Sequence, residues 1–148
     1  MIAVRARGID ELGVMIPAIV DRLARATGLT HSQAYRLRLA TEEITTNIVT
    51  HGYGGRGGTV DIDAGYDEVW AWVRIEDDAP GFDPTTYEVV PRLTADPGWP
   101  PLGGFGLFLA LSSVDRLEHA RVEGRNRNLL KIRRSGGTDE EAMRAYRG

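Results

Sequence analysis

The stretch Leu39-Ala40-Thr41-Glu42-Glu43-Ile44-Thr45-Thr46-Asn47-Ile48-Val49-Thr50-His51 sets a carboxylate and an amide four residues apart. In a helix that spacing puts Glu43 and Asn47 on one face, one turn apart, and His51 continues the row. Glu42 points about 100° around the helix and away from Asn47. An Asn carbonyl is a ligand for Mg²⁺, and a Glu can accept a proton or hold a water, so the pair suits an oxygen-seeking metal. The same two residues also suit a solvated helix end.

The surroundings support the helix. Thr30-His31-Ser32-Gln33 reads as a capping box that opens it, with Thr30 as cap and Gln33 at the third position. It is expected to run to about residue 50, where five glycines within 52–58 stop it. Upstream, Leu12, Ile16, Ile19, Val20 and Leu23 recur at helical spacing between Asp10, a plausible cap, and Gly28, a plausible stop. A short strand over 2–7 precedes them. Downstream, 59–64 and 69–75 read as strands around a turn at 65–67. Trp70 and Trp72 share one side of the second strand, where core packing under the helices is the expectation and a partner surface the alternative.

Residues 76–102 form a long polar stretch holding every proline except Pro17. Ordered loops of that length are usually functional, often lids. A third helix is expected from 104 to about 113, then strands over 114–122 and 128–133 joined at 123–126. Thr138-Asp139-Glu140-Glu141 is a second capping box, opening a C-terminal helix over 138–147. The order β-α-α-β-β-loop-α-β-β-α lacks regular βαβ alternation. It predicts an α+β, two-layer α/β sandwich with a mixed, mostly antiparallel sheet and helices on one face.

Composition narrows the chemistry. At 148 residues with 42% hydrophobic and 26% charged content, the chain is expected to form one domain over 1–148 with a real core. The absence of cysteine excludes disulfides, thiolate metal sites and a cysteine nucleophile. A net charge of −3 gives no nucleic-acid footprint. No signal peptide or membrane-length apolar run is present, so the expected location is cytoplasmic. Lys131 is the single lysine, and with the spacings of a Walker A loop missing, no P-loop is available.

Two further clusters could hold a ligand. In Ile75-Glu76-Asp77-Asp78-Ala79-Pro80-Gly81-Phe82-Asp83-Pro84, acids follow a strand and precede a Pro/Gly turn. An Asp there can accept from an exocyclic amine such as adenine's, or cap its own turn. In Leu102-Gly103-Gly104-Phe105-Gly106-Leu107-Phe108, glycines stand at the mouth of an apolar helix. Helix N-termini attract anions, and glycine lets phosphate oxygens come close.

Taken in order, Glu-x-x-x-Asn on a helix, Asp-x-small-x-Gly after a strand and Gly-Gly-x-Gly-Leu opening a helix resemble the Bergerat-type ATP-binding domain of histidine kinases and gyrase-type ATPases. The nearest likeness is to bacterial anti-sigma-factor serine/threonine kinases. It rests on Glu43-Ile44-Thr45-Thr46-Asn47 with His51-Gly52-Tyr53, on Gly81-Phe82-Asp83-Pro84, on Gly103-Gly104-Phe105-Gly106-Leu107 and on Val114-Asp115-Arg116-Leu117, and covers roughly residues 1–135.

The resemblance implies ATP and Mg²⁺ as cofactors. It makes Glu43 the base for a substrate hydroxyl, Asn47 the Mg²⁺ ligand and Asp77 the partner of the adenine amine. Gly81 would line the adenine pocket. The backbone at Gly103, Gly104 and Gly106, in one motif with Phe105 and Leu107, would hold phosphates. Residues 88–101 would be a lid with Arg92 at a phosphate. Ala79 stands where the family usually has glycine. Asn126 and Asn128 flank the place of a nucleotide-contacting polar residue, with a hairpin-turn role as the alternative. The implied partners are a sigma factor, a STAS-domain antagonist and a second copy in a homodimer. Other readings are a binding module that uses nucleotide only as a switch, or not at all, and the same kinase acting on a non-sigma target.

Overall fold

The computed structural model describes residues 2–6, 9–54, 58–80 and 112–134. In chain order the elements are β1 (Ile2–Ala6), α1 (Ile9–Thr27), α2 (His31–Asn47), a π-helical turn (Ile48–Gly52), β2 (Val60–Tyr66), β3 (Trp70–Asp77), β4 (Arg116–Val122) and β5 (Arg125–Arg133). The strands form one sheet in the order β1-β2-β3-β5-β4, and every described pairing is antiparallel. The two helices cover one face. The α+β two-layer sandwich expected from the sequence is the observed architecture. The expected third helix lies outside the described residues except for Ser112 and Ser113, which are helical, and the lid and C-terminal helix fall wholly outside them.

The helix boundaries follow from local chemistry. Gly28, at φ +72°, ends α1 in the left-handed conformation, and both Gly28 N–H and Leu29 N–H donate to Ala24 O. Asp10 sits inside the first turn rather than at the cap. Pro17 lies within α1 without ending it, because Leu12, Ile16, Ile19, Val20 and Leu23 are all buried along one stripe. The Thr30 box forms as expected: Gln33 N–H donates to Thr30 Oγ1 at 3.1 Å and Thr30 N–H to Gln33 Oε1 at 3.0 Å. Thr27, Thr41 and Thr45 are buried in the helices and satisfied by donating back to carbonyls one turn earlier.

The core lies between helices and sheet. Leu37, Ala40, Ile44 and Ile48 meet Val60, Ile62, Ala64, Ala71, Val73, Ile75, Leu130 and Ile132, all buried. Each large side chain among them contributes roughly 1.5–3 kcal/mol by leaving water. No helix among the described residues is long and apolar enough to cross a membrane.

Three expectations are corrected. Trp70 and Trp72 face away from the helices, because the alternate residues Ala71, Val73 and Ile75 are the fully buried ones. Trp70 is instead ringed by Arg116, Lys131 and Arg133, each 5.3–5.5 Å from its centroid. Gly65 belongs to β2 and not to the turn: the Trp72 indole lies over it, 2.7 Å from where a Cβ would stand. The turn falls at Asp67, whose carboxylate accepts from the N–H groups of Val69 and Trp70, and these bonds lower its pKa. Finally, β5 begins at Arg125, and the connection is only Glu123-Gly124, both at positive φ as a two-residue type I′ hairpin requires.

Candidate functional site

α2 brings Glu43 and Asn47 onto one face, both half-buried. Their neighbour Glu42 is tied to Arg38 at 2.9 Å, whereas Glu43 has no ion pair among the described residues. The α-helix ends at Asn47, earlier than expected, and continues as a π-helical turn closed by Tyr53 N–H to Ile48 O. The widened turn takes His51 off the row and leaves it exposed. Asn47 Nδ2 is buried and has no hydrogen-bond partner among the described residues. Turning this amide over puts its carbonyl oxygen in that place, where a hard cation is a suitable partner.

The end of β3 lies against the end of this turn. Asp77 is buried, 1% exposed. Its Oδ1 accepts from Ala79 N–H at 2.9 Å and from Asn126 Nδ2 at 2.9 Å. Its Oδ2 is buried with no hydrogen-bond partner among the described residues. Burial raises the Asp77 pKa, and the two donated hydrogen bonds pull the other way. A buried carboxylate oxygen left without a donor is costly unless something supplies one, and an exocyclic amine does so.

Tyr53 joins the two parts. Its hydroxyl donates to Thr59 O at 2.7 Å and accepts from Asp78 N–H at 2.9 Å. Burial keeps that phenol above its ordinary range and therefore protonated. The ring lies so close over Gly58 that any side chain there would overlap it. The sequence quotes Tyr53 without giving it this role.

Ala79 is buried, and its methyl faces Gly52, where an added Cβ would stand 2.9 Å away. The departure from glycine at 79 is thus met by a glycine opposite. Gly52→Ala is expected to cost about 1–3 kcal/mol by overpacking. The variant Gly52→Ala/Ala79→Gly should recover most of it, measured as denaturant midpoints in a double-mutant cycle.

On the open face, charges replace apolar residues. Arg125 bonds Asp61, Glu76 and Asp78 at 2.9, 3.2 and 2.8 Å, and Arg127 bonds Glu76 at 3.0 Å. Arg74 pairs with Asp63. The arginines and asparagines of β5 therefore alternate: Arg125 and Arg127 face out, while Asn126 and Asn128 are buried. Asn126 is the one against Asp77; Asn128 Oδ1 accepts from His119 Nδ1–H at 2.8 Å. Neither lies in the hairpin turn.

Gly81, Arg92, Gly103, Gly104, Phe105, Gly106 and Leu107 lie outside the described residues. Among the described residues, no three His, Cys, Asp or Glu side chains come together as a metal site.

The model of the histidine kinase-like ATPase domain family matches residues 11–134. No curated protein matches the chain.

Proposed function

The chain belongs to the histidine kinase-like ATPase domain family, an ATP-binding fold, and from that premise we propose that it is a protein serine/threonine kinase of the partner-switching type. The observation that carries the kinase reading is Glu43, half-buried and without an ion pair among the described residues, one turn from the Asn47 amide nitrogen that has no partner there. In this reading Asp77 Oδ2 accepts from the adenine amine, which gives the buried atom the donor it lacks. Asn47 would hold Mg²⁺ through its carbonyl oxygen, and the bound ion would offset phosphate charge. Glu43 takes the proton of a substrate Ser or Thr hydroxyl as its oxygen attacks the γ-phosphorus and the bond to ADP breaks. Gly81, Arg92 and the backbone of 103–107 complete the nucleotide site by resemblance.

The same resemblance points to a STAS-domain antagonist as the phosphorylated substrate, to a sigma factor as the sequestered partner, and to a homodimer over one domain of 148 residues in the cytoplasm. The alternative, a module that uses nucleotide only as a switch or not at all, is motivated by Ala79 and by a short lid; the lid lies outside the described residues, and the Ala79 methyl faces Gly52.

The test is incubation with γ-labelled ATP, Mg²⁺ and the STAS-domain proteins of the host, with calorimetry of Mg-ATP in parallel. The expected result is label on a Ser or Thr of one STAS protein. Heat of ATP binding with no transfer overturns the kinase and leaves a nucleotide-switched module. Transfer without recovery of a sigma factor in a pull-down from the host redirects the same chemistry to another target.

A further inference from the structure

Directly opposed residues of antiparallel strands point to the same side of a sheet. Arg121 of β4 opposes Asn126 of β5, and Asn126 opposes Asp77 of β3. The row crosses three strands and ends at the carboxylate just described. Arg121 Nη1 donates to Asn126 Oδ1 at 2.9 Å. With its oxygen taken from that side, the Asn126 amide can face only one way. Its Nδ2 gives both protons inward, to Asp77 Oδ1 at 2.9 Å and to Ala79 O at 3.0 Å. Since Ala79 N–H also donates to Oδ1, one carboxylate oxygen is held twice while Oδ2 has no partner among the described residues. Rotating the carboxylate would break both bonds to Oδ1.

We propose that Arg121 and Asn126 are positioning residues that lock Asp77 so that a single oxygen is presented to the nucleobase, and that this lock sets the preference for a purine bearing an exocyclic amine at C6. The proposal rests on the reading that Asp77 meets that amine. The arrangement has an outer and an inner part. Asn126 is 2% exposed and acts on the carboxylate directly. Arg121 is exposed, and its other donated bond goes to Gly124 O at 2.9 Å in the hairpin turn. It acts through Asn126 by denying the amide its flipped orientation, in which Oδ1 would confront the Asp77 carboxylate. A 6-keto purine places an acceptor against Asp77 Oδ2, and a purine with hydrogen at C6 leaves that oxygen unpaired, so a locked carboxylate disfavours both.

The experiment compares calorimetric affinities for ATP, inosine triphosphate and the triphosphate of unsubstituted purine riboside. The proteins are wild type, Arg121→Met and Asn126→Ala, each with a thermal melt. Wild type is expected to prefer ATP over the unsubstituted purine by about 10–100-fold, the range for a hydrogen bond to a charged group. Asn126→Ala should shrink that ratio at least about tenfold and Arg121→Met about threefold, with affinity for the unsubstituted purine almost unchanged. Loss of the amide also removes a bond that favours ionised Asp77, so the low-pH limb of ATP binding should move to higher pH in Asn126→Ala. A merely structural role would weaken all three nucleotides alike, keep the ratios and leave the limb in place, which overturns the lock. A wild-type ratio near one overturns the reading of Asp77 and the lock together. Arg121→Met, at an exposed position, keeps the test decisive should Asn126→Ala fail to fold.

Discussion

Glu43→Ala is expected to lower phosphotransfer by about 10²–10⁴-fold, the usual contribution of a positioned general base, while ATP affinity stays within about threefold. The separation of the two effects follows from where the side chain sits. Glu43 is on α2, half-buried, and among the described residues it holds no ion pair whose loss would disturb the helix. Its backbone is mid-helix, where alanine is the best-tolerated residue. Glu42→Ala is the matched control. It removes the exposed pair with Arg38, a loss of about 0.3–0.5 kcal/mol in stability, and should leave transfer near wild type. Single-turnover transfer at saturating Mg-ATP measures the first effect and calorimetry the second. A Glu43→Ala protein that transfers within tenfold of wild type would remove Glu43 from the chemistry.

Asp77→Asn is expected to separate binding from stability in the opposite sense. Replacing Oδ2 with an amide nitrogen sets a donor against the donor of the base, so ATP affinity should fall at least about a hundredfold. The fold should not suffer. Asn retains an oxygen for the N–H of Ala79 and the amide of Asn126, and it removes a buried charge. The pH dependence gives the sign. Burial raises the Asp77 pKa above its ordinary 3.8, so the folded chain binds more protons than the unfolded one in the window above that value. This group's contribution is therefore most favourable below the ordinary value, and it declines as pH rises through the raised one. Melting temperatures should show Asp77→Asn at least as stable as wild type at pH 7, with the gap closing as pH falls toward 4. An ATP affinity within threefold of wild type, or a melting temperature at pH 7 well below it, would refute the account.

Much of the architecture was legible because it is written in local chemistry. The Thr30 box and Gly28 carry their own boundary signals, and the stripe from Leu12 to Leu23 could only be a buried helix face. Other features have no such signal. Period-two alternation says that Trp70 and Trp72 share a face but not which one, since Ala71, Val73 and Ile75 alternate equally well. The smaller set took the helices, and the indoles took the cations.

The start of β5 was hidden for a different reason. Arg125-Asn126-Arg127-Asn128 is polar at every position, and its first two residues read as part of the turn over 123–126. Its alternation is between two kinds of polar residue, arginines for the acids outside and asparagines for Asp77 and His119 inside. A pattern search keyed to hydrophobicity does not register that contrast, and Arg121 was missed with it. The π-helical turn at Ile48–Gly52 likewise has no residue that announces it. At the site, Glu43 and Asn47 stand out by their spacing and Asp77 by its place in the family-like motif, whereas the choice of Asn126 over Asn128 needs the register of β3 and β5 and the role of Tyr53 needs its bonds to Thr59 and Asp78.

The Gly52–Ala79 contact also constrains how such a chain can change over time. The space between the end of the π-helical turn and the end of β3 admits one methyl group. A protein with alanine at 79 moves that methyl to position 52 without overpacking when it passes first through glycine at both sites. The reverse order meets a barrier at the doubly substituted form. The two positions therefore exchange at least cost through the double glycine, and the intermediate on that path is a chain with an unfilled gap beside the residues proposed to hold the nucleotide.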